Sequence, residues 1–190
     1  MKRFLLFVFL FILVTDIFVV AEESAVAPFP VAQQEKVKVI PRVLERAKKE
    51  NVSIVILLAK QRILLLVDEE IAVDSPISSG RSEVPTPKGD FKILQKHLVM
   101  KSPQYGEFVN EQGLVIASGV NPELDSIPSG ATFRELPMEN FLVFNEAGLG
   151  MYAAELPGYR SSNGGVRLPD ETAKLFFKYA DVGAPVKIKD

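Results

Sequence analysis

Ser161-Ser162-Asn163-Gly164-Gly165-Val166-Arg167-Leu168-Pro169 runs directly into Asp170-Glu171-Thr172-Ala173-Lys174-Leu175-Phe176-Phe177-Lys178-Tyr179-Ala180. Two consecutive glycines permit positive φ and close backbone approach. Taken alone, the first segment is a glycine-rich turn ahead of a helix. The second is that helix: Pro169 stands just before it, and Leu175, Phe176 and Tyr179 fall on one side. Pro185 to Ile188 then supplies a closing strand.

Upstream the pattern is β. Val52 to Leu58, Arg62 to Val67 and Ile71 to Ile77 are three β-rich runs. Lys60-Gln61 and Asp68-Glu69-Glu70 are the polar breaks that turn one into the next. Pro85-Thr86-Pro87-Lys88-Gly89 forms a loop, and Asp90 to Gln95 returns as a strand. Leu114 to Ser118 and Phe141 to Asn145 are further strands; Gly119 to Asn140, with three prolines, reads as a covering loop. Pro41 to Glu50 reads as a short helix, since Pro suits a first helical position and Leu44, Ala47 and Lys48 share a face. Many short strands with one or two helices predict a mainly β fold with peripheral helices, a β-barrel or sandwich.

The N-terminus is set apart. Lys2 and Arg3 precede eleven unbroken apolar residues, Phe4 to Val14, and small residues follow at Ala21, Ala25 and Ala27. That is the layout of a secretory signal peptide. A membrane anchor is the competing reading, but the run reaches only seventeen residues with Asp16 counted in, where a span needs about 20. A carboxylate inside a span also costs roughly 2.5–3.5 kcal/mol. The expected division is a signal peptide over 1–21, a linker over 22–40 and one domain over 41–190. Cleavage after Ala21 leaves 169 of the 190 residues and removes a net charge of +1, taking the chain from −2 to −3. Such a balance leaves no basic footprint for nucleic acid, and membrane contact is expected only through the signal segment. The chain has no cysteine, so an exported form has neither disulfides nor thiol chemistry. The reading calls for no metal and no cofactor. His97, the only histidine, is flanked by Lys96 and Lys101 and reads as a solvated residue.

Combined in chain order, these features carry more. Hairpins, then Ser78-Ser79-Gly80, then Thr86-Pro87-Lys88-Gly89-Asp90-Phe91, then a Ser-X-Gly-X-Val-Arg-Leu turn before a helix resemble the L,D-transpeptidase catalytic domain from about Val52 to Ile188. The family's signature is Ser-His-Gly-Cys, an aliphatic residue, then Arg. Ser162, Gly164, Val166 and Arg167 match it, whereas Asn163 takes the histidine position and Gly165 the cysteine position. Tyr152, in Gly150-Met151-Tyr152-Ala153, takes the place of an upstream histidine.

The resemblance implies acyl transfer on peptidoglycan stem peptides, with a cysteine thiolate attacking the carbonyl before a terminal D-alanine and a histidine moving the proton. Gly165 has no side chain to acylate, and neither the Asn163 amide nor the Tyr152 phenol can take the place of the family's histidine in moving the proton. Loss of a triad nucleophile typically costs on the order of a millionfold in turnover. The expectation is therefore a catalytically inactive protein of the periplasm or cell envelope. Its degenerate active-site positions are Tyr152, Ser162, Asn163, Gly164 and Gly165, and Arg167, Ser161 and Tyr159 are candidates for holding a ligand. Peptidoglycan or an envelope protein is the expected partner. Two other readings stand beside it. One is an active acyl-transfer enzyme or hydrolase using Ser161 or Ser162. The other is a structural or oligomeric scaffold whose cleft is filled by Tyr152 or Tyr159. An open cleft between Gly165, Tyr152 and Arg167 favours binding; a filled one favours the scaffold.

Overall fold

The structure, a computed structural model, describes residues 36–190. The expected signal peptide and most of the expected linker lie outside the described residues. Along the chain come β1 (Lys38–Val39), α1 (Pro41–Leu44), β2 (Val52–Leu57), β3 (Arg62–Val67), β4 (Glu70–Pro76), β5 (Gly89–Lys92), β6 (Gln95–Asn110), β7 (Val115–Val120), β8 (Ala131–Val143), β9 (Gly150–Ala153), β10 (Val166–Leu168), α2 (Asp170–Tyr179) and β11 (Pro185–Lys189). The fold is mainly β with peripheral helices, as the turn and strand pattern predicts.

The strands form two sheets. The first has the order β1-β4-β3-β2-β11-β5, the second β10-β9-β8-β6-β7. In β2 the alternation is strict: Val52, Ile54 and Ile56 are buried and the residues between them are not. The β3–β4 hairpin turns through Asp68 and Glu69, both at positive φ (50° and 65°), as a tight turn matched to strand twist requires. Ile54, Ile56, Leu65 and Val73 of the first sheet meet Leu142, Met151, Val166 and Leu168 of the second and Phe176 of α2 in one core. Full burial of each such side chain contributes about 1.5–3 kcal/mol. A buried hydrogen bond between the hydroxyls of Ser75 and Thr172 (2.7 Å) ties α2 to β4. On the outer face of α2, Lys174 donates to Asp170 (2.6 Å), which raises the lysine pKa above its usual value.

Five expectations are corrected. Helix α1 stops at Leu44 rather than Glu50. The Asn51 side chain takes the Lys48 N–H (2.7 Å) and bonds the Arg46 carbonyl (3.2 Å), offering the backbone a turn in place of helix. The expected strand Asp90 to Gln95 is split. Ile93 N–H still bonds Ala184 of the first sheet's side (3.0 Å), whereas Leu94 N–H bonds Val143 of the second (2.7 Å), so the chain changes sheets there. A sixteen-residue strand, β6, occupies Gln95–Asn110, where no strand beyond Gln95 was expected. Half of the supposed covering loop is strand β8. Its Pro137 lies beyond Glu139, the last β8 residue paired with β9, and a half-unpaired strand tolerates a missing N–H. Lys38–Val39, read as linker, pairs with β4.

β6 is antiparallel to both β7 and β8. The 121–130 connection therefore crosses β6. Between Lys101 and Gly106, β6 advances five residues while β8 advances two, from Pro137 to Glu135. Ser102 to Tyr105, four residues opposite the single Leu136, bulge out of the ladder, with Tyr105 N–H bonded to Ser102 Oγ (3.0 Å).

Candidate active site

The glycine-rich turn hangs between two supports. On one side β10 pairs in parallel with β9, placing Arg167 beside Tyr152. On the other, residues 78–81 run as an irregular strand. Ser78 and Arg167 exchange backbone hydrogen bonds (3.1 and 2.9 Å), Ser162 N–H bonds Ser79 O (3.0 Å), and Arg81 N–H bonds Ser162 O (2.9 Å). The Thr86-Pro87 segment completes the frame. Buried Thr86 Oγ1 accepts from Gly80 N–H (2.8 Å) and donates to the Gly165 carbonyl (3.2 Å). The two motifs that stand about eighty residues apart in sequence are thus one hydrogen-bonded unit.

Gly164 has φ +90°, a left-handed conformation that L side chains rarely adopt. Gly165 has no such requirement; its constraint is space. A Cβ there would stand 3.0 Å from the Gly150 carbonyl oxygen, 3.4 Å from Tyr152 Cε1 and 3.5 Å from Ser162 Oγ. Position 165 therefore faces Tyr152 and Ser162, the geometry in which a side chain at 165 would act with its neighbours.

A cavity of about 250 Å³ opens here, with Tyr152, Ser162, Asn163, Gly165 and Arg167 in its wall. The cleft between Gly165, Tyr152 and Arg167 is open. Opposite them stand the bulge residues Ser102, Gln104 and Tyr105 of β6, and Leu136, Met138 and Phe141 of β8. Apart from Phe141, which opens an expected strand, these had no signal in the sequence, because the strand segments that present them were not legible. Gly119 also lines the cavity, so part of the 119–140 stretch does cover the site.

Gly164, Ser161 and Tyr159 are not in the wall. Tyr159 is 60% exposed. Ser161 is held in a serine pair: Ser78 Oγ donates to the Tyr159 carbonyl (2.6 Å), so in its contact with Ser161 Oγ (2.9 Å) Ser78 accepts and Ser161 donates. The Ser161 proton is committed to structure. His97 stands behind Phe141, whose ring lies 6.5 Å from the imidazole and 5.9 Å from Tyr152. Its Nε2 contacts Gln95 Oε1 (3.0 Å), and it takes no part in the wall. Among the described residues no group of three His, Cys, Asp or Glu is placed to hold a metal, and no helix is long and apolar enough to cross a membrane.

Arg167 is the one charged residue of the wall. Its Nε and Asn163 Oδ1 are buried and have no hydrogen-bond partner among the described residues. A buried, unsatisfied donor or acceptor costs about 1–3 kcal/mol, more where charge is involved, so each calls for a partner such as water, an ion or a ligand.

No curated protein sequence matches the chain. Among solved structures, an L,D-transpeptidase from Mycobacterium smegmatis is similar at 21% identity and TM-score 0.57, with 74% of this chain and 59% of that one covered. L,D-transpeptidase 3 from Mycobacterium tuberculosis, solved with a faropenem-derived adduct, is similar at 20% and 0.55, over 74% and 60%. An L,D-transpeptidase from Stackebrandtia nassauensis is similar at 15% and 0.53, over 77% and 60%. At these identities the likeness is one of fold, and the chain spans about three fifths of the length of each. The family model described as the L,D-transpeptidase catalytic domain, YkuD, matches residues 51–188. That match takes in both sheets apart from β1, the glycine-rich turn and the cavity wall, and the chain belongs to the L,D-transpeptidase catalytic domain family.

Proposed function

We propose that this chain is an exported, L,D-transpeptidase-like cell-wall protein that holds a peptidoglycan stem peptide, or an envelope partner presenting similar chemistry, without carrying out acyl transfer. The observation that carries the reading is an open cavity at Gly165 whose single charged wall residue is Arg167. Its apolar walls with a few polar groups have the make-up of a small-ligand site, and a guanidinium suits a carboxylate by its forked donor geometry. Family membership supports peptidoglycan as the partner.

Inactivity rests on the residues at the motif positions. The chain has no cysteine, Gly165 offers no nucleophile, and an amide (Asn163) and a phenol (Tyr152) stand where the family has histidines. The serine alternative loses support at Ser161, whose proton is already donated to Ser78. The filled-cleft scaffold loses support from the open cavity. In this reading residues 1–21 direct export, a linker follows, and the binding domain begins with β1 at Lys38. The test is co-sedimentation with purified sacculi: the protein is expected in the pellet, and its Arg167→Ala variant largely in the supernatant. Sedimentation no greater than that of an unrelated protein of similar charge ends the peptidoglycan version.

A further inference from the structure

We propose that Met100 and Met138 form a paired oxidation site in the cavity wall, where a peroxide converts two thioethers to sulfoxides and turns that part of the wall from apolar to polar. The site itself stands on the placement of the two sulfurs. Its effect on binding rests on the function proposed above.

The chain has four methionines and no cysteine. Met1 lies outside the described residues, so the sulfur of the described residues is that of Met100, Met138 and Met151. Met151 of β9 is fully buried in the core. Met100 of β6 and Met138 of β8 are only partly buried, and both line the cavity. They are also direct partners across the β6–β8 ladder. Residues opposite one another on antiparallel strands point to the same face, with Cβ atoms about 4.5–5.5 Å apart. The register thus sets two thioethers side by side on an open cavity. Leucine would offer similar apolar surface there; what methionine adds is a polarisable sulfur with a reactive lone pair.

The step needs only a peroxide as oxidant. The sulfur lone pair forms an S–O bond to one peroxide oxygen, and the O–O bond breaks. The proton on the transferred oxygen passes to the departing hydroxide, which leaves as water. Sulfur is oxidised by two electrons and the peroxide is reduced by two. The product is polar and chiral, and reductases specific for each sulfoxide epimer return it to the thioether. Leu136 and Phe141 belong to the same wall, and their side chains offer a sulfoxide no hydrogen bond. An apolar group held against this wall therefore loses its contact once the pair is oxidised, because the new dipoles keep their water.

The test is a titration of the folded full chain with hydrogen peroxide, with each methionine followed by peptide-mapping mass spectrometry. Met100 and Met138 are each expected to take up one oxygen atom at least tenfold faster than Met151, and the three rates to fall within threefold of one another in denaturing guanidinium chloride. An intact Met151 also reports that the core has stayed closed. Co-sedimentation with sacculi is expected to fall at least fivefold as Met100 and Met138 are converted, to follow their conversion rather than that of Met1, and to recover after treatment with both reductases. Met100 or Met138 reacting no faster than Met151 in the folded chain overturns the site. Full conversion of both with sedimentation unchanged overturns its effect. An untreated chain that does not sediment removes the binding function, and oxygen uptake at the three methionines still decides the site.

Discussion

The Thr86 hydroxyl donates to the Gly165 carbonyl at 3.2 Å while accepting the Gly80 N–H at 2.8 Å. One buried side chain thus joins the loop after β4 to the glycine-rich turn, whose Gly165 lines the cavity. Thr86→Val keeps the shape and removes both bonds, leaving a buried N–H and a buried C=O unpaired. The expected cost is about 2–4 kcal/mol, from about 1–3 kcal/mol for each orphaned group with partial relaxation. Thr86→Ser keeps the hydroxyl and is expected to lose less than half of that. Urea denaturation measures both, and a Thr86→Val variant as stable as the parent removes the clamp.

The legible part of the fold is the part whose burial has a period. Val52, Ile54 and Ile56 alternate, and Asp68 and Glu69 turn the next hairpin, so the first sheet could be read from its residues. β6 could not. It carries Lys96, Lys101, Pro103 and Gly106 and owes its extension to ladders on both flanks, with β7 and β8. Context of that kind outweighs strand propensity. The site divides in the same way. Tyr152, Ser162, Asn163, Gly165 and Arg167 were found through the motif and share one wall. Ser102, Gln104 and Tyr105 enter it only through a bulge in β6, a pairing irregularity with no local signature.

Ser78 holds the turn more tightly than Ser161 does. Its hydroxyl donates to Tyr159 O (2.6 Å) and accepts from both Ser161 Oγ (2.9 Å) and Ser161 N–H (3.1 Å). Ser78→Ala orphans three groups, Ser161→Ala removes one bond and leaves its own N–H satisfied. The expected losses are about 2–3 kcal/mol and about 1 kcal/mol, compared by denaturant midpoints at equal slope. The reverse order would show that Ser161 carries the network.

Export is tested on chain recovered from the cell-envelope fraction. Removal of residues 1–21 predicts a mature protein of 169 residues beginning at Glu22, with Ala27 as the second cleavage position. Mass spectrometry of protein recovered from the envelope fraction reads this directly. An intact Met1 in that fraction would make the segment an anchor and leave the domain tethered.

Position 165 tests whether the site is open and how near it stands to chemistry. A Cβ there is tight against Gly150 O at 3.0 Å but otherwise meets Tyr152 and Ser162 at ordinary distances. Gly165→Cys is therefore expected to fold at a cost of about 1–2 kcal/mol, the usual penalty of modest overpacking. Because Gly165 lines the cavity, iodoacetamide is expected to alkylate the folded variant. Tyr152 Cε1 lies 3.4 Å from that Cβ, so Tyr152→His puts an imidazole beside the thiol, where it favours the thiolate. The double variant is expected to alkylate several-fold faster than Gly165→Cys at pH 7, and the two rates to converge near pH 10, where both thiols are ionised. A cysteine at 165 that reacts only after denaturation would mean that the cavity is closed in solution. A double variant no faster than the single would mean that side chains at 152 and 165 do not meet.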